Sequence, residues 1–218
     1  IKRNYQFNKP LKVISTSTDI KKYKLNKFST RKKIKFVYLG GVRYPPYKIK
    51  DALLIVDFLK KRGTNCSIDF INKNEHQTIK DIIKSNKIFN IEYSIISLNH
   101  EDIFKKLPNY DVGFVFLEKG KWLNMSSPTK IGEYLAAGLS IIGNNGIAVL
   151  DRLSKESDYI ETININSKNK EFEIKKIEHF LKKISHPNCR KECRKLAKKY
   201  YSLEKANKIY LELYKKII

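Results

Sequence analysis

Apolar residues come along this chain in short dense runs, separated by segments where they recur at helical spacing. IKFVYL at 34–39 is almost wholly apolar or aromatic and ends at Gly40 and Gly41, which predicts a strand buried on both faces and then a tight turn. Residues 49–61 put Leu53, Val56 and Leu59 on one helical face. SIDFI at 67–71 predicts a second strand, and Ile79, Ile82 and Ile83 mark the helix that follows. YSIIS at 93–97 is a third strand, a short helix starts near His100, and VGFVFL at 112–117 is a fourth strand. A helix over about 128–137 and a strand SIIG at 140–143, closed by the final turn GNNGIA, continue the alternation. The C-terminal part reads as helical and basic. There Leu196, Tyr200, Leu203, Ala206, Tyr210, Leu213 and Ile217 fall three or four apart as one stripe, as expected of core packing. Strand and helix alternation with doubly buried strands predicts an α/β fold, a Rossmann-like doubly wound parallel sheet with C-terminal helices.

Composition narrows the partners. At 218 residues and 41% hydrophobic the chain can bury a sizeable core, and no apolar run approaches the length of a membrane span. The net charge of +23 would suit nucleic acid or an anionic membrane. The lysines, however, are spread over nearly every predicted helix and loop, as a solvated surface would be, and no DNA-binding motif accompanies them. We therefore expect no nucleic-acid partner. The long-range positive field favours phosphate-bearing ligands and peripheral association with an anionic membrane. Cys66, Cys189 and Cys193 are too few for a disulfide framework and fit free thiols in a reducing compartment. His186, Cys189 and Cys193 are spaced to share a helix face, but a fourth zinc ligand is missing, so no metal site is expected.

The most informative stretch is SSPTKIGEYLAAGLSII at 126–142. Ser127 or Ser126 can cap a helix, Pro128 fits its first turn, and the free N–H groups of Thr129 and Lys130 then face outward with the positive end of the dipole. Glu133, one turn on, could accept hydrogen bonds from ribose or sugar hydroxyls. The spacing alone fits an ordinary capped helix equally well. In an open parallel sheet, though, ligands sit beyond the carboxyl ends of the strands, and several segments converge there. The turn after the first strand brings Gly40, Gly41, Arg43 and Lys48; later loops bring Asn72, then Leu98, Asn99 and His100, then Glu118. His100 either caps its helix or contacts a base, and Trp122 and Met125 either pack or line a ligand. Together the cations, the helix start and a carboxylate suit a nucleoside diphosphate bearing a hydroxylated group.

The order of these pieces resembles the C-terminal, donor-binding domain of GT-B glycosyltransferases of the retaining, nucleotide-sugar-dependent group 1 class. The resemblance rests on VISTSTDIKKYK at 13–24 with Asp19, on Gly41, Arg43 and Lys48, on Glu133 with Ala137 and Gly138, and on the terminal KKYYSLEKANKIYLELYKKI. It implies that Arg43 and Lys48 are catalytic, stabilising the departing diphosphate. Backbone amides of Thr129 and Lys130 would assist, Glu133 would hold the ribose, and the loop Leu98 to His100 would lie along the base. It also implies that no metal cofactor is needed and that the acceptor belongs to an N-terminal domain. Residues 1–31 would be the end of that missing domain and the linker, 32–186 the donor-binding domain, and 187–218 helices packing back on it or toward the missing one. We expect a fragment of a longer enzyme, a hexosyltransferase type inactive alone, at the cytoplasmic face of a bacterial membrane in surface polysaccharide or glycolipid synthesis. The sequence departs from the family at Met125, where an earlier glutamate is usual, so that this carboxylate is either absent or replaced by Glu118, and at Ser17, where glycine is usual. A GT-B sugar-nucleotide epimerase and a non-catalytic basic binding module are the alternative readings.

Overall fold

The computed structural model describes residues 12, 14–26, 33–43, 47–118, 120 and 126–216. Within these, six parallel strands form one sheet in the order β3-β2-β1-β4-β5-β6. The strands are β1 (Ile34–Leu39), β2 (Cys66–Ile71), β3 (Tyr93–Ile96), β4 (Val112–Val115), β5 (Ser140–Asn144) and β6 (Ile160–Ile163). The helices are α1 (Ile49–Lys61), α2 (His76–Ser85), α3 (His100–Lys106), α4 (Thr129–Ala136), α5 (Ala148–Glu156), α6 (Lys170–Lys183), α7 (Cys189–Tyr200) and α8 (Leu203–Tyr214). This is the expected doubly wound Rossmann-like arrangement, and the strand order reverses between β1 and β4.

Alternation along β1 sends side chains into two cores. Phe36 and Tyr38 join one with residues of α1, α2 and α6, while Val37 and Leu39 join the other with residues of α4, α5 and α7. Phe36 stacks on Phe114 of β4 with ring centroids 4.9 Å apart, tying the two central strands together on one face.

Three expectations need correction. The run expected as a strand to residue 117 leaves the sheet after Val115; Leu117 instead bridges Tyr47 and donates its N–H to Asn144 Oδ1 at 2.8 Å. The turn GNNGIA is not the last, because α5 and the sixth strand β6 follow it. The apolar stripe from Leu196 onward is not one helix either. The chain breaks at Tyr201 and Ser202, where Thr18 N donates to Tyr201 O at 2.8 Å, Leu203 N donates to Thr18 O, and the Ser202 hydroxyl caps α8. Leu196 and Ala206 are buried, but Leu203 and Tyr210 are exposed, so the α8 half is not core. Ile217 lies outside the described residues, as do Trp122 and Met125.

Residues 14–26, within the segment read as a linker, pack onto this unit. Ile20 and Tyr23 are buried in the α7-side core, and Arg194 of α7 donates to Ile20 O, Tyr23 O and Ala136 O at 2.7–3.0 Å. Asp19 caps the 3-10 turn that follows it by accepting from Lys21 N.

Candidate functional site

Where the strand order reverses, the connections leaving the two adjacent strands run to opposite faces of the sheet, and here a side chain ties those strands together at their carboxyl ends. β1 and β4 pair only through Phe36 with Val112 and Val37 with Gly113. Beyond that point the N–H of Leu39 donates to the hydroxyl of Tyr134 of α4 at 2.8 Å, and that hydroxyl donates in turn to Phe114 O at 3.4 Å. Tyr134 is fully buried, and burial pushes its pKa far up, so the hydroxyl stays protonated. It bridges β1 and β4 beyond their last paired residues, so that the Leu39 amide is not left unsatisfied.

Beyond this bridge the chain turns at Gly40, whose φ of +101° suits glycine. The turn is fastened from β2. Asn72 Nδ2 donates to Gly40 O and to Glu75 Oε2, both at 3.0 Å, and Glu75 accepts from Val42 N at 2.7 Å and Arg43 N at 3.2 Å. Burial alone would raise the Glu75 pKa; the bonds from Val42, Asn72 and Arg43, with the Arg43 charge, bring it below the ordinary value. Sequence reasoning named Asn72 but missed Glu75. An Asn three residues before a Glu, between a strand and a helix, was the available signal.

A crevice of about 740 Å³ opens here, lined among others by Gly40, Gly41, Arg43, Asn72, Glu75 and His100. Leu98 and Asn99 also line it. Of the sequence-predicted residues, Gly40, Gly41, Arg43, Leu98, Asn99 and His100 therefore share one wall. The cap of α3 is Asn99, whose Oδ1 accepts from Asp102 N at 2.8 Å, so His100 is not the cap; its ring packs edge-on against Phe104 at 4.6 Å. Lys48 stands apart from this lining, at the start of α1, where its N–H donates to Phe116 O. Glu118 is exposed just past Leu117.

The start of α4 differs from expectation. Ser127 does not cap it, because its hydroxyl lies 3.1 Å from that of Thr16, which also donates to Ser127 O. Pro128 occupies the cap position and has no side chain to offer the helix, so Thr129 N and Lys130 N donate to no described group. Lys130 is not a rim cation: its side chain is buried behind Gly40. Glu133 is half-buried, and burial raises its pKa against the opposing charges of His100 and Lys130, so α4 and α3 interact electrostatically. Among the described residues no three His, Cys, Asp or Glu side chains form a metal-ligand set. Cys189 Sγ sits 3.1 Å from Ser140 Oγ.

No protein-family model and no curated protein matches this sequence. Solved structures do match. The C-terminal domain of a glycosyl transferase group 1 family protein (LpcC) from Francisella tularensis aligns with TM-score 0.60 and 10% identity over 86% of this chain and 100% of that one. AviGT4, a glycosyltransferase of avilamycin A biosynthesis, aligns with TM-score 0.64 and 14% identity over 93% of this chain and 56% of its own. A mutant TarM from S. aureus, in complex with Fondaparinux, alpha-GlcNAc-glycerol and UDP, aligns with TM-score 0.64 and 16% identity over 95% of this chain and 40% of its own. The chain thus spans the whole of the isolated domain and about half of the longer proteins. At such identities the likeness is one of fold. The chain has the Rossmann-like fold of the C-terminal domain of GT-B group 1 glycosyltransferases.

Proposed function

We propose that this chain is the donor-binding half of a GT-B glycosyltransferase, which transfers a sugar from a nucleotide-diphosphate sugar to an acceptor held by an N-terminal domain. The observation that supports it most is a crevice at the carboxyl ends of β1, β2 and β3 that brings together the Gly40 turn, Arg43 and the Leu98 to His100 loop, with α4 adjoining it through Lys130 beside Gly40 and Glu133 beside His100. Two adjacent free N–H groups at a helix start favour a diphosphate. Arg43 and Lys48 would be the catalytic cations, stabilising the charge that develops on the leaving diphosphate. Glu133 would accept from the ribose hydroxyls, and the Leu98 to His100 loop would flank the base. Glu75 would position the turn by holding the amides of Val42 and Arg43. With cations and a helix dipole meeting the phosphates, no metal is required. UDP in the aligned S. aureus TarM complex supports this donor class, as does UDP-2-fluoro glucose bound to another aligned protein. A place in bacterial surface polysaccharide or glycolipid synthesis, at the inner membrane face, is the setting we propose.

Calorimetric titration with UDP-, GDP- and ADP-linked hexoses tests the reading. One of them should bind equally well with magnesium or EDTA and more weakly at high salt. Arg43→Ala and Glu133→Ala should each weaken binding by ~1.5–3 kcal/mol, as for hydrogen bonds to charged groups. A strict magnesium requirement, or affinity unchanged in both variants, would contradict it.

A further inference from the structure

A lysine is rarely buried, and when it is, a carboxylate normally pairs with it. Lys130 is only 7% exposed and its ammonium makes no hydrogen bond to a described residue, although its Nζ is not among the fully enclosed unpaired atoms, which among those residues are the hydroxyls of Tyr23 and Tyr201. Its Nζ lies 4.2 Å from the centre of the Tyr38 ring and 5.0 Å from that of Tyr47. A Cβ placed on Gly40 would be 3.7 Å from Nζ, so the nitrogen sits directly behind the turn that walls the crevice. The groups around it are few. Tyr38 faces it from β1, Tyr47 from the segment before α1, and Glu133 from its own helix. Glu75 lies by Tyr47 at Gly41, where a Cβ would be 3.5 Å from its carboxylate and 3.6 Å from the ring; Arg43 follows in the same turn, Lys48 follows Tyr47, and His100 of α3 interacts with Glu133. The Glu75 carboxylate is already engaged by Val42, Arg43 and Asn72. Burial pushes the Lys130 pKa down to about 7, with Glu133 pulling the other way. The two π faces favour the ammonium, but they replace only part of its hydration.

We propose that Lys130 is a proton-coupled receptor for the donor's diphosphate, so that the site takes up the anion together with one proton held behind the Gly40 turn. This rests on the donor-site reading given above. The step balances simply: the free site holds an amine, the proton comes from solvent, and the occupied site holds an ammonium facing an anion across glycine backbone. In such a poorly solvated spot an arriving anion strongly favours the charged form. The sign follows. Well below neutrality the lysine is protonated in both free and occupied states, and affinity is flat with pH. Above the free-state value each binding event must gather a proton, and affinity falls as pH rises, by up to about tenfold per pH unit.

Titration calorimetry with UDP-glucose, GDP-mannose and ADP-glucose decides the matter, because their diphosphate diesters do not themselves titrate near neutrality. Run near pH 8 in buffers of different ionisation enthalpy, the heat should report uptake of roughly one proton, and near pH 6 close to none. Lys130→Arg, permanently charged, should bind with no uptake and no such pH slope. His100→Gln should retain the uptake, which assigns the proton to the lysine. Wild-type binding without proton uptake overturns the proposal, as does uptake that survives Lys130→Arg or disappears in His100→Gln. Where Lys130→Arg fails a thermal-melting check of folding, the wild-type proton count decides with the His100 variant. If none of the three sugars binds at any pH, the donor reading itself falls, a result distinct from binding without a proton.

Discussion

Tyr134 does at residue scale what a strand partner would otherwise do. Its hydroxyl satisfies the amide of Leu39 at the point where β1 and β4 separate. Tyr134→Phe keeps the ring but leaves that amide buried and unpaired, so it should lower stability by ~1–3 kcal/mol in urea denaturation. An unchanged midpoint would show that the strand ends are held otherwise. Which residues could be read beforehand follows from how local their signals are. Arg43, Gly40 and Gly41 were legible because a glycine turn after an apolar strand fixes their place. The capping role given to Ser127 failed because Thr16, 111 positions away in sequence, takes its hydroxyl. Glu75 escaped notice because its role exists only once the β1 and β2 loops touch. The burial of Lys130 likewise depends on two tyrosines from other segments.

At the scale of elements, dense apolar runs and helical periodicity located five strands and the helices between them, with ends shifted by a residue or two. β6 was missed because IETI is four residues long, and its two central side chains are only half-buried. The break between α7 and α8 was invisible to periodicity, since spacing runs on through Ser202 while hydrogen bonding with Thr18 does not. One contact between elements bears on function directly. α4 packs so closely on the break after α7 that a Cβ at Gly132 would lie 3.0 Å from the Tyr201 ring. Gly132→Val should therefore force the helices apart, cost ~1–3 kcal/mol, and weaken donor binding by displacing the start of α4. Thermal melting together with calorimetry checks both effects. Loss of stability with donor affinity intact would separate α4's position from the site.

The whole molecule is one half of a GT-B architecture by fold, with a strongly positive net charge and its crevice at the carboxyl ends of β1, β2 and β3. The sequence resemblance foresaw that architecture because the family's motifs mark the same sheet end that the parallel-sheet rule selects. Donor base, sugar and acceptor depend on contacts that no local pattern in the chain encodes. Acceptor transfer, in our account, needs the second domain, so these residues alone should bind donor and transfer nothing. The most direct measurement is difference density from crystals of the chain soaked with the tightest-binding nucleotide sugar. The account predicts the diphosphate between Arg43 and the start of α4, the ribose at Glu133, and the base along Leu98 to His100. A nucleotide lodged elsewhere, such as the lysine-lined hollow of Lys21, Lys198, Lys205 and Lys208, would contradict it.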